Sequence, residues 1–128
     1  MNSRDVLKKI IPSVVGSEFE HRVELLLHDN GLRTLARNFR CKMGEVDLIM
    51  EDSEVVVFVE VRYRRDARFG GPFASITPAK QKRLIRAATQ YLATKPKLAN
   101  RNCRFDAVGV TQQNGRVTFD WIRDAFST

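Results

Sequence analysis

The sequence contains only two cysteines and no long apolar run. Cys41 and Cys103 lie far apart and show neither a CxxC nor a Cys/His spacing, so free thiols in a reducing compartment are favoured over a zinc site. No segment approaches the roughly 20 apolar residues that a membrane helix requires. The N-terminal "MNSRDVLKKIIPSVVG" is interrupted by Pro12 and lacks a cleavage-type ending, which argues against a secretory signal. We therefore expect a cytoplasmic protein that is not inserted in a membrane.

Acidic residues are nearly absent from the middle of the chain. Residues 61–104 contain twelve Lys and Arg against one acidic residue, and they carry the whole excess of the net charge of +7. Such a basic block favours a polyanion partner, because each phosphate that is neutralised releases counterions. The alternative is a well-solvated surface. The polyanion that we expect is nucleic acid.

The length and the order of periodic segments predict one α/β domain. A chain of 128 residues can bury a core without disulfides or structural metals. We expect a single domain over residues 1–128, with residues 1–15 as a flexible N-terminal extension. The order helix, three strands, helix, two strands is typical of a mixed β-sheet flanked by helices. The strand segments are "LRTLARNFRC", the two arms of "GEVDLIMEDSEVVVFVEVRYRR", "CRFDAVGVT" and "RVTFDWI".

Both helices have start signals in the sequence. The first helix is expected to follow a cap at Gly16 or Ser17 and to end near Asn30, with apolar residues at helical spacing. The second covers "PAKQKRLIRAATQYLA", because Thr77 is a good N-cap and proline is a good first helical residue.

Two acids, Asp47 and Glu60, lie in strands that are otherwise apolar. Because a carboxylate in a half-buried strand needs a partner, the register of the hairpin decides what each acid meets. We expect the turn at residues 52–53 or 51–54. The expected cross-strand pairs are then Met50–Val55, Asp47–Phe58 and Glu45–Glu60.

This register gathers the acids on one face, because strand side chains alternate between faces. Asp47 and Glu60 become diagonal neighbours, roughly 7–8 Å apart at the backbone, which two carboxylates can bridge through one ion. Hard cations such as Mg²⁺ take one or two carboxylates together with waters and substrate phosphates. The alternative is an exposed ladder of ion pairs. One face is expected to carry Glu45, Asp47, Phe58, Glu60 and Arg62, and the other Val46, Leu48, Val57, Val59 and Val61.

Motifs along the chain resemble those of the YraN family of small bacterial proteins. The segments "GEVDLI", "VFVEVRYRR", "FGGP", "TPAKQKRL" and "CRFDAV" occur in that family's order and spacing, and "NGLRTLARNFR" fits as well. The match runs from about Glu18 to Phe126. The family is similar to the restriction-endonuclease-like PD-(D/E)XK superfamily, particularly its Holliday-junction resolvases. The resemblance implies a restriction-endonuclease-like fold and a nuclease that hydrolyses DNA, branched DNA included, with Mg²⁺ or Mn²⁺. By analogy it also implies a homodimer.

Residue by residue, the resemblance assigns the metal-binding acids to Asp47, Glu60 and, on the first helix, Glu20. Glu60-Val61-Arg62 occupies the E-X-K triplet, so arginine replaces the lysine of the superfamily pattern. Arginine stays protonated, so Arg62 can stabilise charge on a phosphoryl group but cannot deprotonate water. Three functions remain open: a nuclease in which the metal activates the water, a nucleic-acid-binding module without catalysis, and a structural partner of another protein.

Basic residues near the acids are candidate phosphate contacts. They follow the acidic strand or begin the second helix, where the N–H groups behind Thr77 also favour a phosphate. Tyr63 and Phe69 are close enough in sequence to stack on a base. Asp106 lies among apolar strand residues and is expected to form a structural salt bridge. The candidate nucleic-acid-binding residues are Arg64, Arg65, Arg68, Lys80, Lys82 and Arg83.

Overall fold

The computed structural model describes residues 12–64 and 76–127 of the chain. Within the expected N-terminal extension, residues 1–11 lie outside these ranges and residues 12–15 belong to the first helix. The described elements follow the predicted order, with a short 3₁₀-helix added before the fourth strand. They are α1 (Pro12–Asp29), β1 (Arg33–Cys41), β2 (Gly44–Asp52), β3 (Val55–Arg64), α2 (Pro78–Ala93), the 3₁₀-helix Pro96–Leu98, β4 (Cys103–Gln113) and β5 (Arg116–Phe126).

The five strands form one mixed sheet in the order β1-β2-β3-β4-β5. Strands β3 and β4 are parallel, and the other neighbours are antiparallel. The connection between the parallel strands contains α2, as a parallel crossover requires. The predicted α/β architecture is therefore confirmed. In the described ranges, neither helix is long and apolar enough to cross a membrane.

One helix packs on each face of the sheet. From α1, Phe19, Val23 and Leu27 are buried against one face, and from α2, Leu84 and Tyr91 are buried against the other. Because both faces are covered, β3 can be the continuous apolar run "VVVFV". The α1 side of the sheet includes Leu48, Met50, Val57, Val59 and Val108, and the α2 side includes Ile49, Val56, Phe58, Phe105 and Ala107.

Helix α1 begins earlier than predicted, and α2 begins where predicted. Because α1 starts at Pro12, residues 16–17 lie inside it, and the predicted cap is wrong. Proline suits the first helical position, since its φ is preset and its missing N–H would have no helical partner there. Helix α2 starts at Pro78, and the Lys80 N–H donates a hydrogen bond of 3.2 Å to the Thr77 hydroxyl. The predicted cap of α2 is confirmed.

The β2–β3 hairpin has a different register from the one predicted. Ser53, with φ 54°, and Glu54 form a two-residue turn that is closed by the pair Asp52–Val55. A shift of two residues keeps each side chain on its face and changes its cross-strand partner. The predicted pairs are therefore wrong. Met50 pairs with Val57 and Phe58 with Ile49, while Glu45 pairs with Arg40 of β1.

The alternation of faces in β2 reverses at Asp47. Val46 and Ile49 both belong to the core on the α2 side, although strict alternation would place them on opposite faces. On β1, Asn38 lies between their pairing partners and has φ 50°, which residues other than glycine rarely adopt. The prediction that Val46 shares a face with Leu48 is therefore wrong. The reversal falls at the acid on which the candidate site depends.

Candidate functional site

Asp47 on β2 is surrounded by other acids. Burial is the main cause that raises its pKa to about 8, followed by the charge of Glu60, and Glu20 and Glu45 add to the increase. The Val61 backbone N–H donates a hydrogen bond of 2.8 Å to Asp47 Oδ2 and opposes the increase. Among the residues that the structure describes, no Lys or Arg forms an ion pair with Asp47. This carboxyl group therefore holds its proton to a higher pH than an ordinary aspartic acid does.

Glu20 on α1 lies next to Asp47. Burial raises the pKa of Glu20, and the charges of Glu45 and Glu60 add to the increase, while hydrogen bonds with Asp47 and Asn38 oppose it. A hydrogen bond between two carboxyl groups needs a proton on one of them, in agreement with the raised pKa values of both. The structure thus brings together the helix-borne acid and the strand acid that the resemblance singled out.

Glu60 on β3 is buried and holds two basic side chains. Its Oε1 atom lies 2.8 Å from Lys80 Nζ and 3.3 Å from Arg62 Nη1. The sequence predicts Lys80 as a phosphate contact and does not predict its ion pair with Glu60. The available signal was the Thr77-Pro78 start of α2, which places Lys80 in the first turn of the helix. The position of this turn over β3 depends on the tertiary structure.

Two other buried acids have structural arginine partners. Burial alone would raise the pKa of Glu24, but hydrogen bonds, the strongest from Arg37, lower it below its ordinary value. Arg37 Nη2 lies 2.7 Å from Glu24 Oε2. Because Arg37 belongs to β1, this strand supplies a cation to an acid of α1. Glu51 is paired with Arg33 and Arg101, and hydrogen bonds from these arginines lower its pKa.

Asp106 forms the structural ion pair that the sequence predicts. It is buried in β4 and accepts hydrogen bonds of 3.0 Å from Arg104 Nε, Trp121 Nε1 and the Asp124 backbone N–H. These contacts satisfy its carboxylate where the β4–β5 register shifts. Asp47 differs from Asp106 because its neighbours are acids.

Two surface clefts lie beside the acids. One lies between the start of β2 and the first half of α2, and it exposes Glu60 and Lys80 together. The other lies between α1 and β1, beside Glu20. The first cleft is lined by Gly44, Glu45, Glu60, Lys80, Arg83 and Leu84, and the second by Glu20, His21, Glu24, Arg37, Asn38 and Leu48.

Whether these acids could hold a divalent ion depends on how many carboxylates the ion requires. In the described ranges, no three Asp, Glu, His or Cys side chains are arranged so that they could hold one ion together. The ligand set Glu20, Asp47 and Glu60 therefore stays a prediction. Mg²⁺ commonly uses one or two carboxylates and keeps several waters, so Asp47 and Glu60 are sufficient in number. A cation would also offset the repulsion that raises the pKa of Asp47.

The predicted phosphate contacts are only partly described. Lys82 and Arg83 are exposed on α2, and Arg83 also lines the cleft beside Glu60. The Tyr63 ring stacks on Phe19 with 4.7 Å between ring centroids, so one face of this candidate base-stacking ring is covered. Arg64 is the last residue of β3. Arg65, Arg68 and Phe69 lie outside the described residues.

Comparison with known proteins relates most of the chain to one bacterial family. Residues 19–110 match the model of the uncharacterised protein family UPF0102. A UPF0102 protein of Nitrosococcus oceani is 51% identical over 111 residues, which cover 87% of this chain and 90% of that relative. A UPF0102 protein of Pseudomonas entomophila is 47% identical over 116 residues, which cover 90% and 94%. Another from Chromohalobacter salexigens is 48% identical over 116 residues, which cover 87% and 89%.

Proposed function

The chain belongs to the uncharacterised protein family UPF0102, the YraN family that its motifs resemble, and from this premise we propose that it is a metal-dependent nuclease. Its substrate is DNA, branched DNA included, and its cofactor is Mg²⁺ or Mn²⁺. Asp47 and Glu60 bind the ion, and Glu20 is an auxiliary ligand. Arg62 stabilises charge on the phosphoryl group. By analogy with resolvases, the working unit is a homodimer.

The environment of Asp47 carries this proposal. Each of the buried acids Glu24, Glu51, Glu60 and Asp106 has at least one arginine partner in the described structure. Asp47 instead lies among acids, and its pKa is about 8. A carboxyl group held in this way suits a role in which a divalent cation arrives with the substrate.

The basic surface next to the acids supports a polyanionic substrate. Arg83 lines the same cleft as Glu60, and Lys82 and Arg86 are exposed on the same helix. Acids that hold a cation and bases that hold phosphates are both needed to bring a phosphodiester to a metal ion. Their proximity favours a nuclease over an isolated structural ion-pair cluster.

The proposed reaction is the hydrolysis of a phosphodiester. An oxygen of water forms a new bond to phosphorus, and the bond from phosphorus to the leaving oxygen breaks. The water loses a proton to solvent or to a substrate phosphate oxygen, and the leaving oxygen gains one. A bound divalent ion supplies charge neutralisation and activation of the water. Arg62 remains protonated and donates hydrogen bonds to the phosphoryl oxygens as their charge increases.

Cleavage of a panel of DNA substrates tests the proposal. Purified protein should cut duplex, single-stranded or branched DNA with Mg²⁺ or Mn²⁺ and should not cut in EDTA. Asp47→Asn should lower the rate by about 100-fold or more, since it removes a charged ligand from the ion. Asp120→Asn, which changes an exposed acid on β5, is the matched control and should keep full activity. Cleavage that survives Asp47→Asn would contradict the proposed site.

A nucleic-acid-binding module without catalysis is the second candidate. Two observations favour it: Arg62 stands where the superfamily has lysine, and no three described acids are arranged to hold an ion. The same panel separates the two functions. A module of this kind would bind DNA in a gel-shift assay and would yield no product at any metal concentration.

A further inference from the structure

Lys80 and Arg62 contact the same oxygen of Glu60 from different elements. Arg62 lies two residues after Glu60 on β3, and Lys80 reaches it from the first turn of α2. The Lys80 contact, at 2.8 Å, is the shorter of the two, and the Arg62 contact is 3.3 Å. The structure thus contains a lysine ammonium group beside the second acid of the site, although the triplet itself contains arginine.

The fold holds Lys80 in this position through the start of α2. The Thr77 cap accepts a hydrogen bond from the Lys80 backbone N–H, and Leu84 anchors the helix in the core. The helix also approaches β2 closely at Gly44, where a Cβ atom would lie 3.0 Å from the Arg83 carbonyl oxygen. Such a contact would be tighter than most Cβ contacts in proteins, so glycine favours this close approach of β2 to α2.

Lys80 differs from the neighbouring lysine on the same helix. Its side chain is 27% exposed and lines the cleft that also exposes Glu60. Lys82 is exposed and does not line that cleft in the described structure. Lysine carries a compact charge on a flexible stem, so its ammonium group can turn from Glu60 to a phosphate in the same cleft.

We infer that Lys80 supplies the ammonium group that the Glu60-Val61-Arg62 triplet lacks. This inference rests on the proposed nuclease function. When DNA occupies the cleft, Lys80 turns from Glu60 and donates hydrogen bonds to the scissile phosphate beside the Arg62 guanidinium group. Lys80 stabilises charge in this role and takes no proton from the attacking water. It is therefore a catalytic residue, distinct from the phosphate contacts that only add affinity.

Single-turnover cleavage and DNA binding, measured on the same variants, test this role. Lys80→Ala and Lys80→Gln should lower the cleavage rate by about 100-fold or more, as for removal of one donor to a transition-state oxyanion. Their affinity for DNA, measured by fluorescence anisotropy in Ca²⁺, should stay close to that of Lys82→Ala. Lys82→Ala should bind DNA with a salt slope reduced by about one. The control Lys97→Ala changes an exposed lysine of the 3₁₀-helix and should keep its cleavage rate. Thermal melting checks that every variant is folded.

Returning a lysine to the triplet provides a second measurement. In the Lys80→Ala background, Arg62→Lys should restore the rate by about tenfold or more, since the ammonium group is again next to Glu60. Equal rates for Lys80→Ala and Lys97→Ala would overturn the inference, and so would a slow Lys80→Ala variant that Arg62→Lys does not restore. If wild type cleaves and Lys80→Ala cleaves equally well, only the role of Lys80 fails. If wild type does not cleave, the nuclease proposal fails and this inference fails with it.

Discussion

At the scale of single residues, the acids differ in the groups that surround them. Glu24 and Asp106 are buried and bonded to arginine, so they stabilise the fold. Asp47 is bonded to a backbone N–H and lies among acids. Glu60 forms ion pairs with Lys80 and Arg62, so it contacts both the basic helix α2 and its own strand. These differences separate structural acids from candidate functional ones.

Asp47 should make the metal-free protein less stable as the pH rises. Its pKa is raised from 3.8 to about 8 in the folded protein. Below pH 3.8, Asp47 is protonated in both the folded and the unfolded protein. Between pH 3.8 and about pH 8, it is protonated only in the folded protein. The free energy of unfolding therefore falls with pH across this window.

Asp47→Asn removes this pH dependence, and its amide oxygen can still accept the hydrogen bond from the Val61 N–H. The variant should be more stable than wild type at pH 8, by about 1 kcal/mol or more.

Urea denaturation in EDTA at pH 5, 6, 7 and 8 measures this difference. The gain of Asp47→Asn over wild type should increase with each step. The exposed control Asp120→Asn should follow wild type at every pH. A constant difference between Asp47→Asn and wild type would show that Asp47 is ionised throughout this range and would contradict its raised pKa.

At the scale of elements, the site depends on where α2 begins. The helix contributes the cap Thr77, the cation Lys80 and the core residue Leu84 within its first turns. The crossover from β3 to β4 carries this helix across the α2 side of the sheet. The parallel pairing of β3 and β4 therefore places the polar first turn of α2 beside the buried Glu60 carboxylate.

Loss of the α2 cap should affect both stability and the site. Thr77→Ala removes the acceptor of the Lys80 N–H and should lower the free energy of unfolding by about 1 kcal/mol. Thr77→Ser should retain most of the stability. Thr89→Ala on the same helix is the control and should be neutral or slightly stabilising, since alanine has the higher helix propensity. Urea denaturation compares the three variants. Equal stability of Thr77→Ala and wild type would show that the cap has no energetic role.

At the scale of the whole molecule, acidic and basic residues lie in different parts of the sequence and are close together in the folded protein. Residues 61–104 hold the excess positive charge, and the acids Glu20, Glu45, Asp47 and Glu60 all precede them. The fold places the start of α2 against the acidic end of the β2–β3 hairpin. Basic side chains of α2, Lys80 and Arg83, therefore line the same cleft as Glu45 and Glu60.

DNA binding should depend strongly on salt because it rests on this charge distribution. The logarithm of the association constant should fall linearly with the logarithm of the salt concentration, with a slope of about −0.9 for each phosphate neutralised on duplex DNA. Fluorescence anisotropy from 50 to 200 mM salt measures the slope, with Asp120→Asn as the control that leaves the basic surface unchanged. No binding at 50 mM salt would contradict both candidate functions.

Much of this protein was predictable from sequence because local signals are strong. The family follows from the motifs, and the order of elements follows from apolar periodicity. The start of α2 follows from Thr77-Pro78, and the two acids stand out in apolar strands. The start of α1 did not follow, because two adjacent small residues resembled a cap while Pro12 began the helix.

The family, the α/β order and the identity of the acids can be predicted from the amino-acid sequence, since they depend on residue type and short-range spacing. The contacts between distant residues depend instead on how the elements pack. The turn at Ser53 sets the hairpin register, and the reversal at Asp47 brings this acid next to Glu20. Lys80 reaches Glu60 because packing places α2 over β3. Such contacts join residues that are distant in the chain, so the physical reason is long-range packing, which local spacing does not encode.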